Sequence, residues 1–260
     1  MTPEQFELFA RIEQEHWWFV ARRRIMRELI AAAGPAPEGA VAVDIGCGTG
    51  GNIAALADRF RCVGIDASED AIRYARAQHP SVEFVRTMDP AVVAAHLSHA
   101  SVVTCMDVVE HVEADRDFVA QLVGACRPGT QMLFTVPAGM ELWSEHDVTN
   151  HHFRRYTVDG FASLWERLPV RVRLLSAFNA RLYPLVRAAR QLSRARGSAR
   201  GEAGTDFSMP ARPLNDLFEW IFAGERSALL AAVDRNSRPY RRGVSVVALL
   251  ERTTDPAVAS

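Results

Sequence analysis

Short apolar runs alternate with amphipathic segments through the middle of the chain. Residues 40–43, 61–65, 82–85, 101–106 and 131–136 read as five buried strands, and residues 51–59, 68–78, 90–98 and 115–126 read as the helices between them. Ser68 is placed to cap its helix and Pro80 to stop it. This alternation predicts βαβ units and a parallel sheet. Before it, residues 5–33 carry Phe6, Phe9, Trp17, Phe19 and Ile25 and read as one helix, which Gly34-Pro35-Ala36-Pro37 ends. After Pro137 comes a polar loop over 138–157. A helix over 158–167, a strand over 170–177 and a basic amphipathic helix over 181–196 follow. An irregular stretch spans 197–213, a helix 214–233 and a last strand 244–250.

Composition narrows the function classes. With 48% apolar residues in 260, the chain is not disordered by composition. Thirty basic against 31 acidic residues argue against a nucleic-acid binder. No apolar stretch approaches the roughly 18 residues of a membrane span, and Met1-Thr2-Pro3-Glu4 does not open a signal peptide. Every basic residue is arginine, so lysine chemistry is excluded and an anion would meet planar guanidinium groups. Cys47, Cys62, Cys105 and Cys126 form no CxxC pair and read as buried thiols of a cytoplasmic protein, a monomer or homodimer.

The sharpest local signal is Asp44-Ile45-Gly46-Cys47-Gly48-Thr49-Gly50-Gly51-Asn52, which follows one strand and opens a helix. Glycines there allow a tight turn and close approach of a ligand, and the helix start offers free N–H groups. Asp66, 20 residues after Gly46 at the end of the next strand, can accept both ribose hydroxyls of a nucleoside. The glycine spacing also fits a dinucleotide loop. Asp44 argues against one, because a carboxylate beside a pyrophosphate would repel it; a sulfonium and an amino group suit it.

On these residues the chain resembles the class I S-adenosylmethionine-dependent methyltransferases. Asp44 to Gly50 matches their first motif, Asp66-Ala67 their strand-two acid, and Cys105-Met106-Asp107-Val108-Val109-Glu110-His111-Val112 their strand-four segment. The resemblance implies a Rossmann-like, doubly wound, seven-stranded, mostly parallel sheet with the last strand antiparallel. It implies that Asp44, Gly46, Cys47, Gly48, Gly50, Asn52, Asp66, Ala67, Met106 and Asp107 meet S-adenosylmethionine, with Met88 or Asp89 at the adenine edge. Asp-x-x-Glu-His also resembles ubiquinone-type O-methyltransferases and implies Asp107, Glu110 and His111 as ligands of a divalent cation. Glu15 to Phe19 with Arg22-Arg23 resembles a bacterial subgroup of these methyltransferases.

Ligands of open α/β sheets bind beyond the carboxyl ends of the strands. Residues expected there form the substrate side. His111, His146, His151 and Tyr156 are candidate bases, and Trp17, Arg23, Glu110, His111, Arg154 and Arg155 are candidate substrate contacts. Residues 1–38 and 181–242 would cap a core of 39–180, with 243–260 supplying the last strand and tail. The acceptor would be a small molecule, either an anionic amphiphile such as an isoprenoid diphosphate or a phenolic or quinone-like compound. Two rivals stand beside this reading. An NAD(P)-dependent oxidoreductase accounts for the glycines and Asp66 but not for Asp44 or Glu110-His111. A non-catalytic protein of the same fold would bind the cofactor without turnover, or not at all.

Overall fold

The computed structural model describes residues 2–196 and 201–254. Two helices, α1 (Pro3–Ile12) and α2 (Trp17–Ala32), lead into alternating strands and helices. These are β1 (Val41–Ile45), α3 (Gly51–Ala54), β2 (Arg61–Asp66), α4 (Glu69–Gln78), β3 (Glu83–Arg86), α5 (Pro90–Leu97), β4 (Val102–Met106), α6 (Asp115–Ala125) and β5 (Gln131–Pro137). Then come α7 (Glu145–Thr149), α8 (Val158–Ala162), β6 (Val170–Phe178), α9 (Tyr183–Arg196), α10 (Arg212–Ala223), α11 (Arg226–Ala232) and β7 (Ser245–Arg252).

The strands form one sheet in the order β3-β2-β1-β4-β5-β7-β6. β7 runs antiparallel between β5 and β6, and the other pairings from β3 to β5 are parallel. The expected seven-stranded, mostly parallel sheet is therefore present. Both faces are covered. Ile25, Met26 and Leu29 of α2 pack with Phe222 of α10 and Leu229 of α11 on one face. Leu97, Val119, Leu122 and Phe161 cover the other. Such two-sided burial explains why the strands read as continuous apolar runs. All four cysteines are buried and unpaired.

Several predicted elements are split. The helix expected over 5–33 breaks after Ile12 because Glu13 turns inward, its carboxylate accepting the Thr49 hydroxyl at 2.7 Å. His16 then caps α2 through Nδ1, which accepts the Trp18 N–H. The helix expected over 214–233 breaks at Gly224-Glu225, where the buried Glu225 carboxylate accepts the Arg181 N–H. The helix expected over 51–59 keeps one regular turn before i→i+3 bonds tighten it. The helix expected over 158–167 runs to Ala162 and continues as a 3-10 turn to Trp165. The loop over 138–157 contains α7, which a Ser144–Asp147 capping box starts. Of the irregular stretch 197–213, residues 197–200 lie outside the described residues, as do 255–260 of the tail.

Candidate functional site

The turn after β1 begins the site. Gly46 and Cys47 donate their N–H groups to the Ile65 carbonyl, which ties the turn to β2. Gly46 and Gly48 adopt φ of 70° and 55°. A Cβ on Gly46 would run into the Val108 side chain, whereas one on Gly48 would meet open space. The Asp66 carboxylate accepts the Gly48 N–H at 2.9 Å and the Ser68 N–H at 2.8 Å. Beneath the turn, Asp44 accepts the Thr104 hydroxyl at 2.6 Å, and its second oxygen is buried without a partner. Burial pushes the Asp44 carboxyl up to about 7, against that hydrogen bond and the Arg22 charge.

A cavity of about 410 Å³ runs from this turn across the strand ends. Gly46, Cys47, Gly48, Asn52, Met106 and Asp107 line one end. Phe9, Trp17, Trp18, Phe19 and Phe207 wall it, most of them stacked edge-on or tilted on one another. Arg22 enters from α2, ion-paired to Asp107 and lying 4.0 Å over the Trp18 ring.

The other end is polar. Glu110 is fully buried, and neither carboxylate oxygen has a partner in the protein. Burial, with Asp107 nearby, holds its carboxyl well above the usual range. His111 and His152 stack edge to face at 4.6 Å. Glu110, His111 and His152 each offer an atom within 4.8 Å of the others, a spacing a divalent cation can use. Burial pushes His111 down to about 3 and His146 to about 4. Behind them lies the buried Asp147, whose carboxylate accepts from His152 Nδ1 and from Arg155 Nε, both at 2.8 Å. Arg190 lies 3.7 Å from Asp147 and 2.6 Å from Asp206. Burial alone would raise Asp147, but the His152 hydrogen bond and the Arg155 and Arg190 charges hold it well below its ordinary value.

Several residues singled out in the sequence stand elsewhere. Met88 is 82% exposed on the surface. Asp89 caps α5 by accepting the Ala91 N–H, so neither faces the cavity. Gly50 faces the Phe84 ring, and Ala67 does not line the cavity. His151, in a left-handed conformation (φ 56°), is exposed. Tyr156 does not line the cavity; its hydroxyl donates to Asp115, and burial with that bond raises its pKa. Arg154 pairs with Asp115 and donates to the Glu113 carbonyl, away from the cavity. Arg23 is buried and donates to the Glu13 carbonyl. Of the residues expected to hold a cation, Glu110 and His111 are spaced with His152 rather than with Asp107, whose carboxylate Arg22 and Thr135 engage. Trp17, Glu110, His111, His146 and Arg155 do line the cavity. Asp147 and His152 belong to the polar stretch 143–156 that the sequence marks after strand five, without a role of their own there; Glu13, Asn179 and Phe207 carry no such mark. The local signal for His152 was the His151-His152 pair itself, in which only the backbone bend decides which ring turns inward.

A family model described as a methyltransferase domain matches residues 17–172, more than half of the chain. The chain belongs to this methyltransferase family. The resemblance of the 44–50 motif thus holds, and the family is that of the class I S-adenosylmethionine-dependent enzymes. The methyltransferase is 28% identical over 149 residues to a trans-aconitate 2-methyltransferase of Azoarcus sp. (strain BH72), covering 55% of this chain and 54% of that one. It is 35% identical over 98 residues to a ubiquinone biosynthesis O-methyltransferase of Thiobacillus denitrificans, covering 36% and 42%. The matches span about half, or less, of these relatives' lengths. A TehB-like S-adenosylmethionine-dependent methyltransferase from Corynebacterium glutamicum shares the fold, with a TM-score of 0.54 at 16% identity over 97% of this chain and 100% of that one. The residues present fit the cofactor at one end of the cavity, where open space above Gly48 adjoins Asn52, Met106 and Asp107; Asp44, buried beneath the turn, and Asp66, tied to the Gly48 N–H, do not line the cavity themselves. Among the described residues no helix is long and apolar enough to cross a membrane.

Proposed function

We propose that this methyltransferase moves a methyl group to a hydroxyl of a small, largely apolar acceptor, phenolic or quinone-like, enclosed in the cavity. The observation that carries the reading is a single cavity joining the glycine turn to Glu110, His111 and His152 across an aromatic wall. An anionic amphiphile would need guanidinium groups free to clamp it. Arg155 and Arg190 are instead committed to Asp147 and Asp206, and Arg154 stands outside.

S-adenosylmethionine supplies a methyl group already activated on a sulfonium. The chain's part is to bind, align and exclude water, and alignment contributes about 7–11 kcal/mol in favourable cases. Asp66, beside the turn, would accept the ribose hydroxyls, the Arg22–Asp107 pair would face the carboxylate and amino groups of the methionine end, and the buried Asp44 would hold the turn from beneath. His152 donates through Nδ1 to Asp147, which leaves Nε2 to accept the acceptor's proton. Such a base adds roughly 10²–10⁴-fold. Residues 1–38 and 181–242 act as the cap, a role supported by Phe9, Trp18, Val186 and Phe207 in the cavity wall.

A second reading has its own support. The spacing of Glu110, His111 and His152 suits a divalent cation, which would bind the acceptor oxygen directly. Transfer of labelled methyl from S-adenosylmethionine to catechol and hydroquinone acceptors, with and without EDTA, tests both readings. Labelled ether formed equally in EDTA supports the base. Ether lost in EDTA and restored by Mg²⁺ or Mn²⁺ supports the cation. Methylation of amines with no ether from any hydroxyl acceptor contradicts both.

A further inference from the structure

Asn179 follows the last residue of β6 in a left-handed conformation, φ 52°. Asparagine tolerates this region better than most residues, but the conformation persists only where its surroundings impose it. Glu225 lies against this bend. Its buried carboxylate accepts the Arg181 N–H at 2.8 Å, and the backbone N–H groups of Ala180 and Asn179 also face it. The bend turns Asn179 into the cavity, where the residue is 1% exposed. Neither Oδ1 nor Nδ2 has a partner in the protein. A buried carboxamide with both ends unpaired is costly and calls for an explanation.

Position separates this group from the cofactor. From β1, which carries the glycine turn, to β6 the sheet runs β1-β4-β5-β7-β6. Four steps of about 4.8 Å put Asn179 roughly 19 Å from the turn. The cofactor end of the cavity is built from the turn after β1 and from Met106 and Asp107 at the end of β4. A molecule reaching Asn179 is therefore the second substrate. The chemistry of the amide narrows its class, because Asn offers a donor and an acceptor side by side in one plane. The matching edge is an amide, or a hydroxyl next to a carbonyl.

We infer that Asn179 binds the methyl acceptor and selects one with an amide or vicinal hydroxy-carbonyl edge. The inference rests on the methyltransferase reading of the cavity. Calorimetric titration of the whole chain, saturated with S-adenosylhomocysteine, tests it with salicylamide as probe and anisole as counter-probe. Salicylamide binds the wild type saturably. Asn179→Gly keeps the left-handed backbone and removes the amide, and it weakens salicylamide at least tenfold. S-adenosylhomocysteine and anisole stay within twofold. Asn179→Asp keeps the shape, loses both donors and weakens salicylamide likewise, so the test survives if one variant does not fold. Equal salicylamide affinity in wild type and variants overturns the inference, as does no salicylamide binding to the loaded wild type. Absence of S-adenosylhomocysteine binding instead overturns the methyltransferase reading, and this inference with it.

Discussion

Asp147→Ala is expected to lower unfolding stability by about 3–5 kcal/mol, the usual cost of removing one partner from a buried ion pair. Asp147 is fully buried, and the Arg155 side chain it holds is only 2% exposed. The substitution leaves that guanidinium with the Ala138 carbonyl alone and frees His152 to turn. Urea denaturation checks the magnitude; a loss below about 1 kcal/mol would show that the network does not hold the polar end together. The pH dependence has a definite sign. The folded carboxyl titrates below its unfolded value, so its contribution is complete above about pH 4 and is lost as pH falls below that. Asp147→Asn removes this acid-labile share, and its stability changes less between pH 5 and pH 3 than that of the wild type.

The second large effect separates folding from binding within the glycine turn. Gly46→Ala combines a left-handed backbone, which costs about 1–2 kcal/mol for an L-residue, with overlap of the new Cβ and Val108. Both the fold and cofactor affinity should suffer, with affinity falling at least about 100-fold, or about 2.7 kcal/mol. Gly48→Ala carries the backbone cost without a clash, since its Cβ meets no protein atom within 4 Å. That Cβ enters the cavity. Stability should fall by about 1–2 kcal/mol while cofactor affinity falls tenfold or more. Calorimetric titration with S-adenosylhomocysteine, beside thermal unfolding, reads both quantities. Unchanged affinity in Gly48→Ala would place the cofactor elsewhere.

The sheet was legible because its strands are buried on both faces and its helices carry caps such as Ser68, so local pattern and fold agree. The glycine turn and Asp66 were legible for the same reason: strand, turn and acid are near in sequence. The helix break at Glu13 was not, because its cause is Thr49, 36 residues away. The inward member of each polar pair was equally hidden. Arg22 rather than Arg23, His152 rather than His151 and Arg155 rather than Arg154 reach the cavity. One residue's rotation decides each case: Arg22 is held by Asp107, 85 residues away, and His152 and Arg155 by Asp147, which turns inward on its own short helix. Asn179 had no local signal at all, since its place in the cavity follows from the order of strands at the far edge of the sheet.

The most direct test of the account is calorimetric titration of wild type and Asp66→Ala with S-adenosylhomocysteine and with NAD. The account predicts saturable binding of the adenosyl ligand alone. Asp66→Ala should weaken it by about 100-fold or more, since hydrogen bonds to a charged carboxylate contribute about 1.5–3 kcal/mol each. Binding of NAD in preference, or S-adenosylhomocysteine binding indifferent to Asp66, would contradict it.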